Sequence, residues 1–290
     1  MTTRRNFIVG GTALAASGLI GTAYAFDRSV LRTEIERIAS ACGGRLGVSI
    51  FDVQTLEPFN HKGDDRFPMC STFKFLAAAA VLKRVDEEKE QLGRLIPVEA
   101  GDVVPGSSHI TAPVPGGLTV AQLCEAAIIY SDNTAGNLIL ASLGGPQAIT
   151  DYARTLGDTI TRLDRNEPTL NESIPGDPRD TTTPNAMVKC MQTILIGEVL
   201  TTASKKQLTQ WLLGNKTGAT RLAAGLPVGW RIGDKTGTGE RGSANDIAII
   251  WPPDRAPILV AVYLTETTAP ADKRNAVHAD IARAIVKGMA

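Results

Sequence analysis

The sequence is poor in the side chains that bind metals and in those that stack on nucleic-acid bases. Among 290 residues there are three histidines and four cysteines, and aromatic residues make up 5%. No Cys-x-x-Cys pair occurs and the histidines are scattered, so the sequence predicts no metal centre. The sequence has no excess of either charge, because it contains 30 basic and 30 acidic residues. Without a basic stripe that carries aromatics, we expect no nucleic-acid partner.

Long apolar runs are also missing beyond residue 25. Residues 1–25 carry the twin arginine Arg4-Arg5, then an apolar stretch and a small-x-small sequence that ends at Ala25. This order is typical of a signal peptide for twin-arginine export, although a retained membrane anchor is the alternative. Removal of these residues takes away Arg4 and Arg5 and no acid, which leaves a slightly acidic chain. We therefore expect a periplasmic or secreted mature protein with no stable membrane insertion.

The four cysteines, Cys42, Cys70, Cys124 and Cys190, allow two interpretations. An exported protein can form disulfides in an oxidising compartment. The twin-arginine route, however, carries proteins that have folded in the reducing cytoplasm, which favours reduced and buried cysteines. Both alternatives stay open, because the spacing of cysteines does not reveal their connectivity.

The pattern of apolar residues predicts a helical middle between two sets of strands. On the N-terminal side we predict a helix over 28–42, a strand over 45–51 and a connection over 59–65. On the C-terminal side we predict three strands and a last helix, over 230–236, 247–251, 258–265 and 272–288. The middle runs from residue 72 to about 214, with helices at 119–130, 132–143, 146–156, 184–195 and 204–213. Strands at both ends of the chain imply one sheet assembled from N- and C-terminal segments.

Ser71 and Lys74 stand three residues apart at the start of an alanine-rich apolar run. Because positions three apart share one face of a helix, the amine of Lys74 can reach the hydroxyl of Ser71. A serine hydroxyl becomes a good nucleophile when a neighbouring base takes its proton, and the free amides at a helix start favour negative charge. The alternative is an N-terminal serine beside a surface lysine, because this spacing often arises by chance.

Two more polar clusters each have an ordinary structural interpretation when they are taken alone. Ser131-Asp132-Asn133 precedes a predicted helix, where such residues commonly cap the free amides. Lys235-Thr236-Gly237-Thr238 ends a predicted strand, where a glycine allows either a turn or the close approach of a ligand. The lysine and the two threonine hydroxyls would suit a carboxylate ligand.

Residues 162–180 form a long, charged loop that is punctuated by prolines and has no periodicity of its own. The loop contains Glu167-Pro168 and Asn171, and it carries charges of both signs at its ends. Loops of this length are usually functional or disordered, and the charges at the two ends favour an Ω-type loop with fixed ends.

Together the three clusters and the loop resemble a known family. Ser-x-x-Lys, Ser-Asp-Asn and Lys-Thr-Gly, in this order, are the signature of serine β-lactamases and penicillin-binding proteins. Glu167-x-x-Leu170-Asn171 resembles the class A β-lactamases specifically. The resemblance implies an α/β lobe, in which helices flank a five-stranded antiparallel sheet, packed against an all-α lobe. We place the α/β lobe at 26–66 and 214–290 and the helical lobe at 67–213, in a monomer without a cofactor.

The resemblance also implies a role for each site residue. Ser71 would attack the lactam carbonyl and form an acyl-enzyme. The amides of Ser71 and Thr238 would form the oxyanion hole, and Ser131 would pass a proton to the leaving nitrogen. Glu167 and Asn171 would hold the water that hydrolyses the acyl-enzyme, with Glu167 as the base.

The remaining roles concern proton transfer, substrate binding and the loop. Lys74 would either take the proton of Ser71 or act as a cation that tunes its neighbours, so the acylation base stays open between Lys74 and Glu167. Arg165 would pair with Asp180 to fix the loop, and the bond before Pro168 is a candidate cis peptide. The residues implied to orient Lys74 or bind substrate are Asn133, Lys235, Thr236, Gly237 and Thr238.

The sequence departs from the family pattern at several points, and two of them concern the predicted substrate range. Many members have an arginine before the Asn-Asp of the penultimate strand, where this chain has Ala244. Arg221 occupies the place from which other members supply that guanidinium, and we expect it to reach the substrate carboxylate; a solvated arginine is the alternative. Some carbapenem-hydrolysing members tie the cysteine at Cys70 to a second one, but that position is Gly239 here. This disulfide cannot form, so carbapenem hydrolysis loses support.

The predicted function is hydrolysis of the β-lactam amide of penicillins and cephalosporins. One alternative is a penicillin-binding D,D-peptidase, which shares the first three motifs but releases penicillin slowly. Another is a penicillin-sensing domain of the same fold. Glu167 and Asn171 favour the hydrolase, because fast deacylation needs a positioned water.

Overall fold

The computed structural model describes residues 26–289, so the predicted signal peptide lies outside the described residues. Within this range the helices are α1 (Arg28–Ala41), α2 (Phe73–Asp86), α3 (Val120–Ile129), α4 (Asn133–Leu143), α5 (Gln147–Thr155), α6 (Pro184–Met191), α7 (Thr202–Leu213) and α8 (Ala271–Gly288). The strands are β1 (Arg45–Asp52), β2 (Glu57–His61), β3 (Phe67–Pro68), β4 (Leu95–Val98), β5 (Val114–Thr119), β6 (Thr181–Thr182), β7 (Arg231–Thr238), β8 (Ala244–Trp251) and β9 (Ile258–Thr265).

Five of these strands form one antiparallel sheet in the order β2-β1-β9-β8-β7. β1 and β9 come from opposite ends of the chain and pair from Arg45 opposite Thr265 to Asp52 opposite Ile258. β7 lies at the edge and pairs with β8, up to Thr238 opposite Ala244. The predicted sheet, built from N- and C-terminal segments and flanked by helices, is confirmed.

The sheet is covered on both faces, because successive side chains of a strand point to opposite sides. All eight residues of β9 are buried. Leu259 and Tyr263 pack into a core shared with α2 and other helices, whereas Val260 and Val262 pack into a second core with α1 and α8. α2 is buried at each of residues 73–82, as a helix that is apolar all round should be. The first core therefore holds the start of α2 rigidly beside the sheet.

The element predictions fail where the apolar pattern is weak. The predicted connection at 59–65 is wrong in its first part, since β2 ends at His61. β2 is an edge strand in which only Phe59 is fully buried, so it carries almost no alternating pattern. The predicted helical middle also contains the β4–β5 pair, whose first residue, Leu95, is exposed. The helix expected to end near 195 is α6 followed by a π-helical turn at Gln192–Ile196.

Candidate active site

Ser71 lies in a 3₁₀ turn, Cys70–Thr72, directly before α2, so Lys74 is in the first turn of that helix. Lys74 Nζ donates a hydrogen bond to Ser71 Oγ at 2.9 Å. Ser71 Oγ in turn donates to Glu167 Oε1 at 3.0 Å, and Lys74 Nζ lies 3.0 Å from the same carboxylate oxygen. Two candidate bases from distant parts of the chain therefore contact one hydroxyl.

Lys74 is fully buried, and its environment decides its protonation. Besides Ser71 and Glu167, Nζ donates to Ser131 O at 2.8 Å and to Asn133 Oδ1 at 2.7 Å. Burial lowers the pKa of Lys74 from its ordinary value, although the charge of Glu167 opposes this change. Since a lysine with a lowered pKa gives up its proton more readily, Lys74 is suited to exchange a proton with Ser71.

The Ser131-Asp132-Asn133 segment combines capping with contacts to the site. Asp132 caps α4 by accepting from Ala135 N at 2.9 Å, and its second oxygen accepts from the amides of residues 109 and 110. The capping interpretation therefore holds for Asp132. Ser131 and Asn133 instead contact Lys74, and Ser131 has a φ of 57°, which is uncommon for a residue with a side chain. Asp132 thus fixes the turn from which its two neighbours reach the site.

Glu167 is held by two asparagines. Asn137 donates to Glu167 O and accepts from Glu167 N, both at 2.9 Å. Asn171 Nδ2 donates to Glu167 Oε2 at 2.5 Å and to Pro168 O at 3.1 Å, and the Glu167-Pro168 bond is cis. The sequence analysis missed Asn137. Its position four residues after Asn133, on the same face of α4, is the signal that could have found it.

The Ω-loop, which we define as residues 162–180, is joined at its ends by polar contacts. Arg165 Nε donates to Asp180 Oδ2 at 2.5 Å, and Asp180 Oδ1 accepts from the amides of residues 164 and 165 at 2.8 and 2.9 Å. Arg165 Nη1 also donates to Glu172 Oε2 at 2.5 Å, a contact that the sequence analysis did not anticipate. Leu170 is buried in the first core. These contacts fix the loop in front of Ser71.

Lys235 joins the β7 cluster to Ser131. Its Nζ donates to Ser131 Oγ and to Thr236 O, both at 2.8 Å. Lys235 is fully buried, and burial, together with the charge of Lys74, lowers its pKa well below the ordinary value. Because the Ser131 hydroxyl accepts a hydrogen bond from Lys235, its own proton stays available for a different partner.

β7 passes close to the turn that carries Ser71. A Cβ at Gly237 would lie 2.8 Å from Met69 O, so only glycine permits this approach. Next to it, Thr236 Oγ1 lies 2.5 Å from Thr217 Oγ1. The close approach brings the hydroxyl-bearing end of the edge strand to the nucleophile.

Arg221 is buried, with 7% of its surface exposed, so the alternative of a solvated arginine is wrong. Its Nη1 donates to Gly237 O at 2.8 Å and to Asn245 O at 2.5 Å, and its Nε donates to Asn275 Oδ1 at 3.0 Å. Its Nη2 donates to Thr238 Oγ1 at 2.7 Å. Most of the guanidinium is therefore used to fix the end of β7, and one N–H of Nη2 is left over.

A buried carboxyl pair, which the sequence analysis did not single out, lies next to the β7 cluster. Burial raises the pKa of Asp234, and it raises that of Asp246 well above the ordinary value, with the nearby charge of Asp234 as the second cause. Asp234 Oδ2 accepts from Asn215 Nδ2 at 2.6 Å. Two buried carboxyls close to each other favour sharing one proton. Asp234 and Asp246 together therefore carry one negative charge, and not two, beside Lys235 in β7.

Within residues 26–289, neither the cysteines nor a cluster of metal ligands offers an alternative to Ser71 as the reactive group. All four cysteines are buried and free, and a Cβ at Gly239 would lie 2.7 Å from Cys70 Sγ. Burial raises the pKa of the Cys70 thiol to about 12, so it stays protonated and a poor nucleophile. Within residues 26–289, no three histidine, cysteine or acidic side chains gather as metal ligands would. Ser71 is therefore the nucleophile that this geometry activates.

Comparison with known proteins identifies the family. Residues 30–289 match the model of the beta-lactamase enzyme family. The chain is 43% identical to beta-lactamase CTX-M-8 of Citrobacter amalonaticus, with 96% of each chain covered. It is 43% identical to beta-lactamase Toho-1 of Escherichia coli, with 92% of this chain and 91% of the relative covered.

Solved structures agree with these relatives. An ancestral class A β-lactamase, described as that of the last common ancestor of Gram-negative bacteria, is 57% identical, with 90% of this chain and 100% of the other covered and a TM-score of 0.88. A putative class A β-lactamase, PenP of Rhodopseudomonas palustris, is 51% identical, with 89% and 99% covered and a TM-score of 0.88. The chain therefore belongs to the β-lactamase enzyme family, among its class A serine enzymes.

Proposed function

We propose that this chain hydrolyses the β-lactam amide of penicillins and cephalosporins through an acyl-enzyme on Ser71. One observation carries the proposal: Ser71 Oγ contacts both Lys74 Nζ at 2.9 Å and Glu167 Oε1 at 3.0 Å. The second carboxylate oxygen of Glu167 is bonded to Asn171. A nucleophile, a means to deprotonate it and a means to release its ester thus share one site.

In acylation, Ser71 Oγ would form a bond to the lactam carbonyl carbon while its proton passes to a base. Lys74 and Glu167 are both in contact with that hydroxyl, so each remains a candidate. Oxyanion stabilisation would come from the amides of Ser71 and Thr238. Gly239 N bonds to Ser243 O, so the alternation of a strand turns the Thr238 amide to the outer side of β7.

When the C–N bond breaks, the leaving nitrogen needs a proton. Ser131 is placed to give it, because Ser131 Oγ accepts from Lys235 and so keeps its own hydrogen free to donate. Lys74, whose Nζ bonds to the carbonyl of Ser131, lies close enough to return a proton to this hydroxyl afterwards.

In deacylation, Glu167 would take a proton from water as that water attacks the ester carbonyl. The bond between the carbonyl carbon and Ser71 Oγ then breaks, and Ser71 Oγ takes a proton from Glu167 or Lys74, which both contact it. Asn171 supports this step because the bonds of its Nδ2 to Glu167 and Pro168 fix the orientation of the amide. Asn171 Oδ1 is buried and has no partner among the described side chains and backbone. A water that donates one hydrogen to this oxygen and the other to Glu167 would satisfy it and would be aimed at Ser71.

The substrate carboxylate would bind to the β7 cluster, with Lys235, Thr236 and Thr238 as donors. Arg221 donates to Thr238 Oγ1, which leaves the threonine's hydrogen free to point at the carboxylate. Arg221 would therefore act largely through Thr238, with its last N–H as a direct contact. Asn133 would bind the side-chain amide of the substrate while it orients Lys74.

We further infer that the enzyme is an exported monomer of two lobes, 26–66 with 214–290 and 67–213. The twin arginine and small-x-small sequence of residues 1–25 support twin-arginine export to the periplasm. No helix within residues 26–289 has the length and apolarity needed to cross a membrane.

The test is steady-state turnover of benzylpenicillin and nitrocefin by the purified protein that begins at residue 26. We expect many turnovers per enzyme and no stable adduct when substrate is exhausted. A single stoichiometric burst followed by a lasting acyl adduct would instead assign the chain to penicillin-binding or penicillin-sensing proteins.

A further inference from the structure

The hairpin that joins β7 to β8, residues 239–243, touches the Ω-loop at the residues next to the predicted water site. Glu240 N donates to Asn171 O at 2.9 Å, and Arg241 Nη1 donates to Glu172 O. Asn171 is the residue whose side chain holds Glu167 at 2.5 Å. The hairpin is therefore one residue away from a group that orients the deacylation base.

The hairpin is itself fixed to the sheet. Arg241 O accepts from Thr267 N at 3.2 Å, and Ser243 Oγ lies 2.8 Å from Thr265 Oγ1. Arg241 has a φ of 50°, in the left-handed region that a residue with a side chain rarely adopts. A strained conformation held by its surroundings commonly marks a functional position. Here the conformation leaves the guanidinium on the carbonyl of Glu172.

Glu172 is contacted from two directions. Its carboxylate binds Arg165, which is bonded to Asp180 inside the Ω-loop, and its carbonyl binds Arg241 from outside the loop. The first contact fixes Glu172 to the rest of the loop, and only the second fixes it to the sheet that carries Lys235. The relative position of loop and sheet at this point therefore depends on the hairpin.

We propose that Arg241, with the Glu240 amide, is a positioning group that sets the placement of Asn171 and Glu167 for deacylation. This inference rests on the proposed function. Arg241 touches neither Ser71 nor Lys74, and it reaches the site through Asn171. Asn171 binds Glu167 Oε2, whereas Ser71 contacts the other oxygen, Oε1. Loss of Arg241 should therefore slow release of the acyl-enzyme and leave its formation unchanged. The hydrogen bond has a charged donor, so we expect the deacylation rate to fall about tenfold when it is removed.

The step-specific effect has a kinetic signature. In a two-step acyl-enzyme mechanism, slower deacylation lowers kcat and KM together and leaves kcat/KM unchanged. A structural defect that merely reduces the amount of folded enzyme lowers the apparent kcat and leaves KM where it was. The two explanations therefore give different outcomes in one experiment.

The experiment compares Arg241→Ala with the parent on nitrocefin and benzylpenicillin, by steady-state kinetics and by quench-flow mass spectrometry of the acyl-enzyme. We expect both kcat and KM to fall and the acylated fraction at steady state to rise. Arg241→Lys, which retains a charged donor, should recover most of the parent's rate. Arg283→Ala removes an exposed arginine of α8 that pairs with Asp280, and this control should behave as the parent.

The outcomes separate this inference from the proposed function. If the parent turns over and the Arg241→Ala variant has the same kcat, KM and acylated fraction, the inference about Arg241 is wrong. The proposed function is not affected by that result. A fall in kcat with KM constant, or a fall in the acylation rate, also overturns the inference. A parent that is acylated once and never recovers overturns the proposed function and this inference with it.

Discussion

The two halves of the site are held in place by different means. Ser71 and Lys74 stand at the start of α2, a helix buried along residues 73–82 in the larger core. Glu167 and Asn171 stand on the Ω-loop, which packs Leu163 and Leu170 into the same core but otherwise depends on polar contacts. These are the Arg165 bonds, the Asn137 bonds to Glu167 and the hairpin contacts. Packing positions the group that would accept the acyl chain, whereas hydrogen bonds position the group that would release it.

This difference suggests that the two steps respond differently to substitution. Removal of one hydrogen bond from a packed helix leaves its many apolar contacts unchanged. In the Ω-loop, where Leu163 and Leu170 are the residues packed in the first core, each polar contact carries a larger share of what holds the segment. We therefore expect changes near α2 to affect both steps and changes in the loop to affect deacylation first.

The largest effect should come from the packed half. Ser71→Ala removes the nucleophile and should lower turnover on the order of 10⁶-fold, because the remaining groups do not supply a substitute. The protein should stay folded, since a small side chain is lost. Mass spectrometry with benzylpenicillin should show no adduct, and an adduct at another residue would break the assignment.

A smaller but still strong effect is expected when the loop loses its main ion pair. Arg165→Ala leaves the carboxylate of Asp180 buried with its backbone donors alone, which should cost roughly 3 kcal/mol of unfolding free energy. The acyl-enzyme should also accumulate. Thermal and urea denaturation measure the first effect and quenched mass spectrometry the second.

Arg179→Ala is the matched control for that change. Arg179 pairs with Asp177 in the same loop, but its side chain is 45% exposed, so the substitution should cost far less unfolding free energy than Arg165→Ala. Equal losses in the two variants would mean that burial does not decide how strongly an ion pair holds the loop.

In the cluster that would bind the substrate carboxylate, loss of Arg221 should raise KM about tenfold. Arg221→Ala removes a donor to Thr238 and a direct contact with the carboxylate, so KM should rise more than kcat falls. Arg231→Ala, at the other end of β7, serves as the control. Unchanged parameters in the Arg221 variant would remove this residue from the binding site.

The last change tests stability in acid rather than turnover, at a buried histidine of α8 that belongs to neither half of the site. Burial, and then the charge of Arg221, lower the pKa of His278 to about 3, whereas its ordinary value is 6.5. The unfolded chain therefore binds a proton more readily, and stability should be lost as pH falls from about 6.5 towards 3, by about 1.4 kcal/mol per pH unit for this group. His278→Asn should show a shallower acid slope in denaturation curves, and parallel slopes would contradict the assignment.

The sequence was sufficient for the parts that carry a pattern. Strong apolar periodicity predicted β9 to the residue and α1 to within one, and four ordered motifs brought Ser71, Lys74, Ser131, Glu167 and Lys235 into one prediction. The analysis missed β2, which lacks apolar alternation. It also missed Asn137, although its spacing from Asn133 places both residues on one face of α4. It missed Arg241 because the role of this residue depends on the backbone carbonyl that lies opposite it, and that contact arises only when the chain has folded.

The most direct test of the contrast between packed nucleophile and polar loop is the Glu167→Gln variant with benzylpenicillin, followed by stopped-flow and mass spectrometry. The substitution keeps the shape of the side chain but removes the base. The account predicts that Ser71 is still acylated and that the adduct then persists, while turnover falls by at least about 10²-fold. Turnover at the parent's rate, with no accumulated adduct, would contradict it.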